Sequence, residues 1–302
     1  MVVLVMIQLN KGEFMKKIKI LFIITILLLT TGCLKKDNLE GISIITTNYA
    51  TEYVTNILYG EHSNVEMIYP NDTDTFNYTL TNKQINDYSS KDLLIYNGNT
   101  DDKELAYEFT NKNKKLLLIN GSYRIDITYG EAELWLNPSN LITISQNVRD
   151  GLKEYLTNSY LEKEIEKNYK NLNVILSELD AELKLTVENA SKDTIVVNND
   201  TLKYLEKYGL NVISLDSENA VITEKTINDV NDLISNGKVK HIFTLENTKN
   251  SNELSQIITS TNIPTLNFRR IDSIKDEEKD QSITYEKLMT ENIELLKKEL
   301  YE

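Results

Sequence analysis

The longest stretch without glycine or proline runs from Leu152 to Tyr208. Apolar side chains recur within it at steps of three and four residues: Ile165, Tyr169, Leu172, Leu176, Leu179, Leu183 and Val187. This spacing places them on one face of an α-helix and predicts a long helix over about 140–190, with a break near Asn158–Ser159. A helix of about 40 residues is about 60 Å long, more than one small domain, so we expect it to join two. A coiled-coil seam is the alternative, which the absence of a sustained heptad disfavours.

Apolar runs alternate with amphipathic segments on both sides of this helix. The strand candidates are 42–47, 65–70, 92–98, 115–121, 194–199, 211–216, 241–246 and 265–268. Such alternation indicates parallel sheets covered by helices. The predicted fold class is therefore α/β, with two Rossmann-like lobes, each a mostly parallel sheet flanked by helices, joined by one long connecting helix. Gly209 and Gly237 stand where helix C-caps are expected.

The N-terminal region carries a secretory pattern that ends on the only cysteine. Met15 precedes a lysine-rich start, an apolar run over 20–29, and Gly32 directly before Cys33. The run is too short to cross about 30 Å of hydrocarbon as a helix, and the whole pattern is typical of a signal peptide. Its Gly-Cys end resembles a bacterial lipoprotein signal, which implies lipidation of Cys33. A plain secreted protein or an uncleaved anchor is the alternative.

These patterns divide the chain into five predicted segments. They are an N-terminal extension and lipoprotein signal peptide (1–32, with Met15 as the predicted start), a tether (33–41), an N-terminal α/β lobe (42–145), the long linking helix (146–191) and a C-terminal α/β lobe (192–302).

Charge and residue usage exclude several classes of function. A net charge of -13 over 302 residues argues against nucleic acid as a partner, because phosphates need lysine and arginine. The two histidines, His62 and His241, are isolated from each other and are expected to be solvent-facing or structural. Cys33 lies in the signal and the two histidines are isolated, so few residues are available for a Ser-His-Asp or Cys-His catalytic arrangement. We therefore do not expect an enzyme.

Four segments of the chain, taken in order, carry a resemblance to a known protein family. In the first, YPNDTDTFNYTLTNKQI (69–85), the matching frame is Pro70, Thr73, Asp74, Tyr78, Thr81 and Ile85. The others are ELWLNPSN (133–140), VVNNDTLKYLEKYGL (196–210) and GKVKHIFTLEN (237–247). Through these segments the chain resembles the zinc- and manganese-binding substrate-binding proteins of bacterial ABC importers over nearly all of 42–300. Trp135 lies in the second segment and is expected to be a core anchor beside the cleft.

The resemblance also implies where metal ligands would lie, and those positions are substituted. Phe76, Glu133 and Asn199 stand where the family has histidines. The family's late carboxylate falls nearest Arg269, or Arg270 or Asp272 if the register is shifted. Zinc favours imidazole and thiolate, so a tight zinc site is not expected from this set.

Two other uses of these positions stay open. Asp74, Asp200 and Glu246, with Glu133, could form a weak oxygen site for manganese or calcium, or could equally cap helices or face water. Alternatively, Arg269 could pair with Glu133 beside Phe76, or could clamp the carboxylate of an organic ligand.

The resemblance implies an extracytoplasmic solute-binding lipoprotein of an ABC transporter, monomeric, that works with a permease and an ATPase. Lipid on Cys33 would hold it at the outer face of the cytoplasmic membrane, on a Gram-positive surface. A divalent metal, zinc or manganese, is the implied cargo and the only cofactor suggested. The alternatives are a non-transport lipoprotein for adhesion or assembly, and a binder of a small carboxylate ligand in the same cleft.

Overall fold

The structure is a computed structural model that describes residues 39–216 and 221–302. The predicted signal peptide and Cys33 lie outside these residues. Within them, no helix is both long enough and apolar enough to cross a bilayer.

The first sheet is formed by four parallel strands. They are β1 (Ile42–Thr46), β2 (Ser63–Met67), β3 (Leu93–Tyr96) and β4 (Leu117–Asn120), in the spatial order β2-β1-β3-β4. Each apolar run predicted in this part of the chain overlaps a strand. The two central strands, β1 and β3, are almost fully buried, whereas the edge strands β2 and β4 are mostly half-buried.

The second sheet repeats the arrangement of the first. Its strands are β5 (Thr194–Val197), β6 (Asn211–Ser214), β7 (Ile242–Leu245) and β8 (Thr265–Phe268), in the order β6-β5-β7-β8, and all pairs are parallel. The strand order reverses beside the first strand of each sheet, and ligands of open α/β sheets bind at the carboxyl ends of strands at such a point.

Helices flank both sheets. The α-helices are α1 (Tyr49–Tyr59), α2 (Asn82–Ser89), α3 (Asp102–Lys112), α4 (Glu133–Leu136), α5 (Pro138–Tyr155), α6 (Ser159–Glu188), α7 (Glu224–Ser235), α8 (Asn252–Thr261), α9 (Asp276–Asp280) and α10 (Tyr285–Tyr301). Short 3-10 helices cover Gly60–His62 and Asp200–Tyr208. Gly209, the C-cap of the second, has φ 108°, a left-handed conformation that glycine adopts without steric cost.

The long glycine- and proline-free segment contains α6, and the predicted break separates α6 from α5. Asn158 is extended and caps α6, because its side chain accepts a hydrogen bond from the amide of Tyr160. The predicted apolar face is buried from Ile165 to Leu183, whereas Val187 is half-buried and Thr186 takes the buried place. This face packs against α1, α5 and α10.

One hydrophobic core runs through both lobes. It includes Leu93 and Ile95 of the first sheet, Leu172 of α6, and Val197 and Phe243 of the second sheet. The α/β fold with two parallel sheets is confirmed. The boundaries predicted at 145 and 191 stay a prediction, because this shared core crosses both of them.

Candidate functional site

The loop between β2 and α2 reaches the second lobe. The Thr75 hydroxyl and amide donate to Oδ2 of Asp272, at 2.6 Å and 3.3 Å. The amide of Asp72 donates to the carbonyl of Ile274 at 3.0 Å. Thr81 then begins α2 with a capping box, in which its hydroxyl accepts from the amide three residues on. The segment identified from sequence as a ligand loop is therefore docked on the chain that follows β8.

Arg270 fills the space between this loop and the second lobe. Its side chain is 1% exposed. Its Nε and Nη2 donate to the two oxygens of Asp272, both at 2.8 Å, and Nη2 also donates to Asp74. Its guanidinium carbon lies 4.1 Å from the centroid of the Phe76 ring, at cation–π distance. An ion pair, buried at Arg270 and half-buried at Asp74, thus joins the first lobe to the second.

The ion pair considered as one possibility for Glu133 and Arg269 is not formed. Arg269 donates from Nε to Glu246 at 3.0 Å, and from Nη1 and Nη2 to Glu278 at 2.5 Å and 3.1 Å. Successive side chains of an extended segment point to opposite sides, so a shift of one residue puts Arg270 beside Phe76 and turns Arg269 away. The arginine in the cleft is the second of the two.

Glu133 has a structural role in the first lobe. It is buried, and its Oε2 accepts the amides of Thr128 and Tyr129, each at 3.0 Å. Two backbone donors thus hold one oxygen of this carboxylate and fix the chain that enters α4.

The other predicted ligand positions are also engaged within the protein. The Asn199 side chain accepts from the amide of Thr201 at 3.0 Å and begins a 3-10 helix. Asp200 pairs with Lys203 at 2.8 Å. Glu246, the third carboxylate considered for a weak metal site, accepts hydrogen bonds from the Arg269 side chain and from the backbone amide of Arg270. Each position serves capping or ion pairing.

Two cavities, of about 390 Å³ and 410 Å³, meet at Phe76 and Glu131, which line both. The first also contacts Asn199 and Arg270, so it occupies the cleft between the lobes. Trp135 lines the second, is 1% exposed, and donates from Nε1 to the carbonyl of Arg270 at 2.7 Å. This tryptophan anchors the cleft wall, as expected from sequence.

Most of the chain, including the loop and the cleft described above, matches a known protein family. Residues 44–299 match the family described as ZnuA, zinc-uptake complex component A, periplasmic. The chain belongs to the ZnuA family. The resemblance drawn from the four sequence segments is confirmed.

Two lines of similarity accompany the family match. The chain is 23% identical to the zinc-binding lipoprotein AdcA of Streptococcus pneumoniae strain R6, over 94% of this chain and 61% of AdcA. It therefore spans about 61% of the length of the curated relatives it matches. Among solved structures, the metal-dependent lipoprotein YcdH of Bacillus subtilis gives a TM-score of 0.70 at 20% identity, over 86% of this chain and 99% of that one. The Zn(II)-bound ZnuA-like domain of Streptococcus pneumoniae AdcA gives 0.70 at 19%, over 87% and 100%. At these identities the likeness shows the fold.

The ZnuA-family cleft of this chain lacks a convergent set of metal ligands within the described residues. There, the one group of three carboxylate or imidazole side chains whose ligand atoms lie within 4.8 Å of one another is Glu61, His62 and Glu164. Glu61 and His62 precede β2, at the amino end of the sheet, whereas the cleft lies at the carboxyl ends. His62 is 3.0 Å from Glu164, and His241 is buried at 2.8 Å from Glu299, so both histidines lie in side-chain pairs remote from the family's ligand positions.

A group of carboxyls that sequence reasoning did not single out surrounds the second cavity. Burial, followed by the charges of Asp102, Asp101 and Asp272, raises the pKa of Glu131 to about 8. Burial likewise raises the pKa of Asp102, which accepts hydrogen bonds from the Thr47 hydroxyl and a backbone amide. The available signal was positional, because Asp101 and Asp102 follow the carboxyl end of β3 and begin α3.

Proposed function

We propose that this chain is the substrate-binding lipoprotein of an ABC importer whose cleft no longer holds zinc tightly. The observation that carries the proposal is that the candidate ligand groups already have partners inside the protein. Glu133 accepts two backbone amides, and Asp74 and Glu246 pair with arginines. Membership in the ZnuA family supports the transport role.

The chemistry of the cleft supports the loss of zinc. Phe76 cannot coordinate a metal, and the amide of Asn199 is a weak ligand for zinc compared with imidazole. The Arg270 guanidinium lies on the Phe76 ring and pairs with both Asp74 and Asp272, so neither carboxylate is free to bind a dication. The disagreement between these residues and a zinc cargo is therefore one of missing ligands and of carboxylates that are already paired.

The same contacts disfavour a carboxylate ligand clamped by arginine. Arg269 already binds Glu246 and Glu278, and Arg270 already binds Asp74 and Asp272. A ligand carboxylate would have to displace an internal one at either side chain.

The wider role follows from the family and the sequence. We propose binding rather than catalysis, a monomer that docks on a permease and its ATPase, and attachment to the outer face of the cytoplasmic membrane through lipid on Cys33. The proposed division into lobes at 42–145 and 192–302, with the linking segment 146–191 between them, gives a stiff connection and hence modest closure. AdcA, which this chain resembles, is named a zinc-binding lipoprotein.

Calorimetric titration of the chelator-stripped mature protein tests the cleft. We expect no tight stoichiometric binding of zinc by the wild type. The triple variant Phe76→His, Glu133→His, Asn199→His should gain measurable binding, with circular dichroism as the check on folding. Tight binding of zinc by the wild type would overturn the proposal.

Cross-linking in membranes tests the importer role. Mass spectrometry of species cross-linked to the lipidated protein should recover permease peptides, and a Cys33→Ser variant should lose them. Recovery of adhesion or assembly partners with no permease peptide would refute the transport role.

A further inference from the structure

The second cavity combines aromatic walls with a volume suited to a small molecule. It is about 410 Å³, within the range of ligand pockets. Four aromatic residues line it: Tyr69, Phe76, Tyr78 and Trp135. Two edge-to-face pairs hold the rings, Tyr69 with Tyr78 at 5.8 Å and Phe76 with Trp135 at 6.2 Å between centroids. These contacts limit ring motion, so the aromatic surface is largely preformed.

The charge of the cavity wall has one sign. Four carboxyl side chains line it, and no lysine or arginine does: Asp101, Asp102, Glu104 and Glu131. None of the four takes part in the ion pairs found among residues 39–216 and 221–302. Arg270, the nearby cation on the Phe76 ring, lines the first cavity and is neutralised by Asp74 and Asp272. The wall therefore favours a positively charged occupant.

The spacing of the carboxyls separates an inorganic ion from an organic cation. Ligands of one divalent ion must converge, yet no three carboxylates of this cavity have ligand atoms within 4.8 Å of one another in the described chain. A larger cation with diffuse charge can contact separated carboxyls and aromatic rings together.

We propose that this cavity is the binding site for a small alkylated ammonium ion. The inference rests on the proposed function, since it names the substrate class of the same importer cleft. Aromatic faces attract the poorly hydrated ammonium methyl groups through cation–π contacts, and the acidic groups supply long-range attraction. A zwitterion of similar size fits less well, because its own carboxylate would face four others.

Trp135 makes the proposal measurable, because it is the only tryptophan in the chain and lies in the cavity wall. Choline and tetramethylammonium should change its fluorescence saturably. The neutral carbon isostere of choline, 3,3-dimethyl-1-butanol, and the zwitterion glycine betaine should bind at least about tenfold more weakly, because one lacks the charge and the other adds an opposed one.

Variants assign the effect to the cavity. At about pH 9, where Glu131 with its pKa of about 8 is ionised, Glu131→Gln should weaken choline binding roughly tenfold through the lost charge. Phe76→Leu should weaken it roughly threefold or more through the lost ring face. Asp232→Asn removes the same single charge from an exposed position on α7 and should leave the affinity unchanged. Thermal melts identify any variant that is unfolded, and Phe76, 46% exposed, is the site least costly to change.

The outcomes separate this inference from the proposed function. The absence of any saturable response at about 10 mM choline or tetramethylammonium, or equal binding of the neutral isostere, would overturn the ammonium site. Equal loss of affinity in Asp232→Asn and Glu131→Gln would overturn it too. Tight zinc binding in calorimetry overturns the proposed function instead, whatever the ammonium titration gives.

Discussion

Replacement of Arg270 with methionine should destabilise the protein by about 3–5 kcal/mol, the usual cost of removing one partner of a buried ion pair. Arg270 and Asp272 are each 1% exposed, so solvent cannot replace the lost guanidinium. Asp272 would keep only the hydroxyl and amide of Thr75 as donors among the hydrogen bonds described above. Asp74 is 27% exposed and can regain water, so most of the loss arises at Asp272.

Urea unfolding followed by far-ultraviolet circular dichroism measures this loss. At about 2–4 °C per kcal/mol, the melting temperature should fall by about 10 °C. Adding Asp272→Asn to Arg270→Met should recover about half of the loss, because the uncompensated charge is removed. Lys287→Met breaks an exposed ion pair with Glu291 and should change stability by less than about 0.5 kcal/mol. A loss below about 1 kcal/mol in Arg270→Met would refute a buried, interlobe role for this side chain.

Three further changes test other parts of the structure. Because the pKa of Glu131 is raised to about 8, the folded protein holds this proton more tightly than the unfolded chain, and stability falls between about pH 5 and 8. After discount for solvent screening, Glu131→Gln should gain about 1–2 kcal/mol at about pH 8 in urea titrations and flatten that slope. Burial alone would raise the pKa of Asp74, but the hydrogen bond and charge of Arg270 lower it. The ionised Asp74 therefore stabilises the fold above about pH 4, and this contribution is lost below that pH. In acid titrations the stability of Asp74→Asn should fall less steeply than that of the wild type from about pH 5 to 3. Gly151→Ala would place a methyl group 2.7 Å from a side-chain carbon of Ile119 and should cost about 1–3 kcal/mol in thermal melts, with Ile119→Val recovering part of it.

The fold was predictable because its signals are periodic and redundant. The predicted apolar runs lie on the strands, and the spacing from Ile165 to Leu183 is the buried face of α6. The free energy gained by burying apolar area depends little on which apolar side chains are in contact. An apolar residue at every third or fourth position is therefore enough to predict the buried face of a helix.

The segments that form the candidate site were predictable from sequence, but the individual residue that enters the cleft was not. Two adjacent arginines, Arg269 and Arg270, look alike in sequence, and a shift of one residue along an extended segment turns a side chain to the opposite side. Glu131 gave no signal because it is one of 46 acidic residues, and only the tertiary fold places it beside Asp102 in a cavity wall. Position relative to strand ends carries such information, whereas residue type alone does not.

Arg270 also changes what holds the two lobes together. A metal held by ligands from both lobes joins them only while it is bound, so the contact between lobes reports the cargo. Here a guanidinium that belongs to the chain joins Asp74 of the first lobe to Asp272 of the second, and it is present whether or not a ligand is bound. A ligand can shift the lobes only if it binds one arrangement of the lobes more tightly than another. Because the guanidinium beside Phe76 is part of the chain, this contact does not distinguish a liganded arrangement from an unliganded one. Ligand-dependent movement should therefore be small at this ion pair and should be concentrated at the second cavity, where Glu131 takes part in none of the ion pairs of the described chain. Small-angle scattering curves should change less on addition of ligand to the wild type than to Arg270→Met. Equal changes in the two proteins would contradict the role of Arg270 in holding the lobes together.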